Sequence, residues 1–194
     1  VTGFKHPEPL FVTTRKGHRT RILTPTEYDS LTHSMTKLRL KTIFEILMWS
    51  GMRYVELQRL HANPEWVLKG RNVIHLPYVA QKKVKRSQVE RYIHIVPQIS
   101  NLLPYFFDNK KPSTYANWHK YLQRTCVLAN LNPSGVNVKT TRKTIESWMI
   151  VAGIPVNQIC LWQGHDHLTS MNYYQGLAFT DSEKNEIQKR LSGW

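Results

Sequence analysis

The chain has 194 residues, with 27 Lys and Arg against 13 Asp and Glu, a net charge of +14 and 41% hydrophobic residues. That length suits one domain with an appended segment and a core of its own. No apolar run approaches the roughly 20 residues that span a bilayer, and VTGFKHPEPL at the start carries no apolar leader. The charge points to a polyanion, nucleic acid ahead of an anionic membrane surface, because no basic amphipathic helix stands apart from the rest. A start at Val1 leads us to expect a piece of a longer protein.

Residues 1–23 are polar, basic and rich in turn formers. They read as a linker or arm, with RKGHRTR (15–21) either lying along DNA or left as a solvated tail. At TPTE (24–27) a capping box begins: Thr24 at the N-cap, Pro25 in the first turn and Glu27 three residues after the cap. It predicts a helix to about Met35. A more apolar helix, LKTIFEILMWS, is expected to end at Gly51, and a third to begin near Arg53. Then the period changes. EWVL, NVIHLPYVA and VERYIHIV read as three short antiparallel strands, with Lys69-Gly70 in the first turn and the basic run QKKVKRSQ in the second. Ser113 is a candidate cap for a long helix through YANWHKYLQRTCVLANL. Another helix is predicted from Lys139 to Ala152, stopped by Gly153 and Pro155, and shorter ones over 156–162, 167–176 and 181–191. The expected fold is mainly α with a small three-stranded antiparallel β-sheet. Cys126 and Cys160 sit in apolar helical contexts and read as small buried hydrophobes of a reducing cytosol.

Two arginines stand where an apolar stripe begins. In KTTRKTIESWMIVAG, Ile145, Met149 and Ala152 share one helical face, and three residues before Ile145 is Arg142, with Lys139 a further step back. In SGMRYVELQRL, Leu57 and Leu60 form the stripe and Arg53 precedes it. A helix start already presents free N–H groups and a positive dipole end. An arginine added there repels both unless an anion is near, and a phosphate would suit both arginines. The alternative is a pair of structural arginines bonded to Glu56 or to carbonyls.

These residues resemble the catalytic domain of the tyrosine recombinases, the phage-type integrases and their Xer and Cre relatives. SGMRYVEL is similar to the first arginine box of that family. KTTR resembles its His-x-x-Arg box, with Lys139 in place of the histidine. WQGHDHLTSMNYY resembles its Leu-Gly-His box, followed by a nucleophilic tyrosine nine residues after the histidine, which from His165 is Tyr174. The resemblance covers residue 24 to the C-terminus, and is nearest to integrases of spindle-shaped archaeal viruses and related plasmids. It implies the tyrosine recombinase/integrase fold for a catalytic domain over 24–194, with a tail helix at about 181–191 that docks on its own domain or, as we favour, on the next subunit.

The resemblance implies site-specific DNA recombination through a covalent 3′-phosphotyrosine. Arg53 and Arg142 would hold the non-bridging oxygens of the phosphate, and His165 one of those oxygens or the tyrosine. Lys82, with Lys83 close behind, would protonate the leaving 5′ oxygen. Lys139 can neutralise charge, but an ammonium of pKa about 10 is a poor base at neutral pH. Tyr174 would attack, leaving Tyr173 to packing or a backbone contact. Lys83, Lys85, Arg86 and Lys143 are expected on DNA. Asp166 and His167 look like a metal pair without a third ligand, so neither metal nor cofactor is expected. The implied partners are double-stranded DNA and further copies of the chain, a tetramer in the active complex, in the cytoplasm of a host cell and with an additional N-terminal DNA-binding domain. Two other outcomes share these residues: type IB topoisomerase-like nicking and resealing, and a DNA-binding module without catalysis.

Overall fold

The computed structural model describes residues 8–13, 17–80, 90–164 and 177–194. Strands β1 (Leu10–Thr13) and β2 (Arg19–Ile22) form an antiparallel hairpin, with Leu10 opposite Ile22. Helices α1 (Pro25–Ser34), α2 (Leu38–Ser50) and α3 (Tyr54–Ala62) follow. Next come β3 (Val67–Leu68), β4 (Val73–Leu76) and β5 (Arg91–His94), antiparallel in that order. The chain continues through α4 (Pro97–Ser100), α5 (Leu102–Asp108), α6 (Tyr115–Leu128), α7 (Thr140–Val151), α8 (Val156–Gln163) and α9 (Asp181–Arg190). Among the described residues this is the expected mainly helical fold with a small three-stranded sheet. The helix expected over 167–176 lies outside them.

Local chemistry accounts for the boundaries. The Thr24 hydroxyl accepts from the Glu27 N–H at 3.3 Å, and the Glu27 carboxylate accepts from the Thr24 N–H at 3.0 Å, so both halves of the capping box are made. Helix α2 stops because Gly51 turns left-handed, at φ +63°, and donates its N–H to the Leu47 carbonyl at 3.1 Å. A side chain there would also strike the Gln163 amide, which lies 2.1 Å from where a Cβ would sit. The turn after α2 thus fits against the end of α8, and Arg53 follows two residues later.

The core forms where α2 packs on α7, with Ile46, Leu47, Trp49, Ile145, Trp148 and Met149 all buried. The hairpin packs into this core, within the stretch 1–23 that the sequence suggests as a linker or arm. Ile22 and Leu23 are fully buried. The Leu23 N–H donates to Thr144 Oγ1 at 3.0 Å, and its carbonyl accepts from Trp148 Nε1 at 3.0 Å. Arg21 turns inward to Glu27 and the Asn132 carbonyl. Charge counting misled here, because a guanidinium that meets a buried carboxylate contributes to the interior rather than the surface.

Three smaller differences have similar causes. Thr114, not Ser113, caps α6, accepting from the Asn117 N–H, while the Ser113 carbonyl is taken by Tyr54 and Gln58. Helices α4 and α5 went unforeseen, being too short for a 3.6-residue period to show. Helix α9 lies on its own domain rather than reaching out. Arg190 grips Asp29 of α1 through two bonds of 2.8–2.9 Å, Ile187 and Leu191 are buried, and Trp194 packs against Trp49 and Trp162.

Candidate active site

Arg53 stands at the N-cap of α3 with its side chain 26% exposed. Glu56, one turn on and fully buried, receives the Arg53 backbone N–H and its Nη1, each at 2.7 Å. Arg142 stands in the first turn of α7 and is buried, as its place on the Ile145 stripe predicts. It donates from Nη1 to the Gly51 carbonyl at 2.8 Å and from Nη2 to the Gln163 carbonyl, and its Nε lies 3.3 Å from Glu146. Both arginines therefore make the bonds that the structural alternative foresaw, to Glu56 and to carbonyls.

Sequence reasoning missed a third arginine. Arg91 opens β5, where the alternation of buried and exposed residues turns it inward. Its Nη2 bonds Glu56 and its Nη1 donates to the Gln163 carbonyl at 2.7 Å. The available signal was that same alternation in RYIH, obscured by the basic run before it. Gly164 makes room for this contact. It sits at φ +60°, and a Cβ there would lie 2.9 Å from Arg91 Nη1. The glycine of the expected Gly-His box thus has a steric reason beyond ending α8.

Among the described residues the cations of the site outnumber its carboxylates. Arg53, Arg91 and Arg142 share Glu56 and Glu146, and Glu146 also takes Lys143 Nζ at 2.9 Å. Burial, together with Arg53 and Arg91, lowers the Arg142 guanidinium to about 9 against the pull of Glu146. Burial likewise lowers Arg91 despite Glu56. For Glu56, burial alone would raise the carboxyl, but Arg91, Arg142 and Arg53 outweigh it and hold it below its ordinary value. Cations that depress one another raise the electrostatic potential at their site, which favours the approach of an anion. The starts of α3 and α7 add their free N–H groups.

The other expected residues divide. Lys139 caps α7, with its side chain exposed and its N–H on Asn137 Oδ1 at 2.9 Å. Lys143, expected on DNA, is largely buried against Glu146. Lys82, Lys83, Lys85, Arg86, His165, Asp166, His167, Tyr173 and Tyr174 lie outside the described residues. Among the described residues no group of three potential metal ligands occurs, and no helix is long and apolar enough to cross a membrane. A cavity of about 370 Å³ beneath Trp49, Trp162 and Trp194 is lined by none of the three arginines.

Residues 21–180 match the Phage integrase family. The chain belongs to that family. Among solved structures it is similar to the Tn1549 transposon integrase in complex with circular intermediate DNA, at TM-score 0.68 and 17% identity, covering 88% of this chain and 66% of that one. The same integrase with transposon right end DNA gives 0.67 and 16%, with the same coverages. The XerA recombinase gives 0.63 and 17%, covering 91% of this chain and 65% of that one. The chain thus spans just under two thirds of these relatives' lengths, and the likeness shows a shared fold. No curated protein sequence matches it.

Proposed function

We propose that this integrase-family chain is the catalytic domain of a site-specific DNA recombinase, which cleaves and rejoins strands through a 3′-phosphotyrosine. The observation that carries this reading is the convergence of Arg53, Arg91 and Arg142, with Lys143 behind them, on Glu56 and Glu146, so that cations outnumber carboxylates among the described residues. Its two forward arginines come from the starts of separate helices. A backbone phosphate is the anion that such a pair of arginines suits.

In the proposed reaction the Tyr174 oxygen attacks phosphorus and the bond from phosphorus to the 5′ oxygen breaks. Lys82, or Lys83 beside it, gives that oxygen its proton. Arg53 and Arg142 hold the non-bridging oxygens as charge builds on them, and His165 hydrogen-bonds the phosphate or the attacking oxygen. Lys139 adds charge at the start of α7. Lys85 and Arg86 hold the DNA backbone. A 5′ hydroxyl from another strand reverses the step with no net loss of phosphodiester bonds. Positions 82, 83, 85, 86, 165 and 174 enter on the sequence spacing. The finer reading, a tetramer on DNA, a further N-terminal DNA-binding domain for full recombination, and an origin in an archaeal virus or plasmid acting in the host cytoplasm, rests on the same motifs.

The test is a duplex nicked so that the cleaved fragment diffuses away, incubated with the protein without added metal and run on a denaturing gel. A covalent protein–DNA adduct, lost in Tyr174→Phe and kept in Tyr173→Phe, is the expected result. An adduct lost only in Tyr173→Phe overturns the choice of nucleophile. Tight DNA binding without any adduct overturns the reaction in favour of a DNA-binding module.

A further inference from the structure

Arg91 occupies a position that stability does not explain. A strand residue facing the core beside Ile93 is ordinarily apolar, and replacing a buried ion pair by well-packed apolar side chains is often neutral or stabilising. The guanidinium here is about nine-tenths or more buried, with an Nε that has no hydrogen-bond partner among the described residues. The fold carries an unspent buried donor and a desolvated charge.

What Arg91 touches gives the reason. One arm bonds the Glu56 carboxylate, which holds both the backbone and the side chain of Arg53. The other arm donates to the Gln163 carbonyl, which also receives Arg142 Nη2. The partners lie 35 and 72 residues away along the chain. A planar fork spans two acceptors at fixed separation, which a single ammonium does not. Gly164 is held to a residue without Cβ where this arm passes.

We propose that Arg91 is a positioning residue for strand cleavage, joining Arg53 and Arg142 into one rigid phosphate-holding unit through Glu56 and the Gln163 carbonyl. It does not itself touch the phosphate. This rests on the strand-cleavage reading above.

The test uses the whole chain on the nicked duplex, at a temperature where every variant is folded, with single-turnover cleavage and DNA affinity measured separately. Arg91→Lys keeps the charge and loses the fork. It is expected to bind the duplex as the wild type does but to form adduct about 100-fold more slowly, the scale of a misplaced reacting group. Adding Arg53→Lys to Arg91→Lys is expected to cost little more, because one acts through the other. Should Arg91→Lys fail to fold, Arg91→Gln, which keeps a donor for the Gln163 carbonyl, replaces it with the same expectations. Cleavage by the variant within about threefold of the wild type overturns the inference alone. So do losses from Arg53→Lys and Arg91→Lys that simply multiply. No adduct from the wild type overturns the strand-cleavage reading and this inference with it.

Discussion

Among the described residues arginine is buried against carboxylate in the hairpin and at the candidate site, and the two differ in charge balance. Arg21 and Glu27 pair one to one, at 2% and 1% exposure, with the Asn132 carbonyl taking a second arm of the guanidinium and the Thr24 N–H meeting the carboxylate, while Arg21 Nε, like Arg91 Nε, has no partner among the described residues. No net charge is left over. At the second place three arginines meet two carboxylates, and one arginine, Arg53, remains 26% exposed. The first arrangement closes a hairpin onto a helical core. The second gathers more cations than carboxylates among the described residues. A buried ion pair alone is therefore a poor guide to function; the surplus charge and the partial exposure tell the two apart.

This contrast is sharpest at Arg142. Arg142→Ala is expected to slow adduct formation by about 100- to 1000-fold, the cost of losing one donor to a developing oxyanion. The melting temperature should change far less than for a break in the hairpin, since Lys143 still meets Glu146 and Arg91 still meets the Gln163 carbonyl. A large loss of stability with unchanged cleavage would reverse the assignment of the two regions.

Arg21→Ala supplies the opposite case. It strands the Glu27 carboxylate in the interior, which costs about 3–5 kcal/mol, readable by denaturant unfolding. Below its melting transition the variant should cleave at the wild-type rate. A cleavage defect in fully folded protein would tie the hairpin to the site.

The smallest expected effect is one of pH. The folded Glu56 carboxyl titrates below its unfolded value, held there by Arg91, Arg142 and Arg53 against burial. The ionised form thus favours the fold, fully at neutral pH, and that stabilisation is lost as pH falls through the folded value. Glu56→Gln should flatten the acid limb of a stability-against-pH curve. An unchanged slope would place the acid sensitivity on other carboxylates.

Much of this was readable along the chain. Thr24 and Glu27 announce α1, Gly51 ends α2, and Arg53 and Arg142 show themselves by standing at the head of the Leu57–Leu60 and Ile145–Met149 stripes. The sheet appears in its period of two. Other features stayed hidden in the same letters. RTRIL looks like part of a basic arm until Arg21 is seen beside Glu27, and RYIH continues a basic stretch until Arg91 is seen beside Glu56. The docking of α9 rests on Arg190 meeting Asp29, 161 residues earlier.

Sequence by itself determined most of the long helices' starts and stops, the strands of the three-stranded sheet and the two arginine boxes, because caps, turns and amphipathic periods are interactions within about four residues. Only the tertiary structure decided that Arg21 meets Glu27 in the hairpin and that Arg91 joins Arg53 and Arg142 around Glu56 and the Gln163 carbonyl. The reason is physical. A charge's role depends on what it meets after burial, and here those partners are 35 to 72 residues apart, beyond any local pattern.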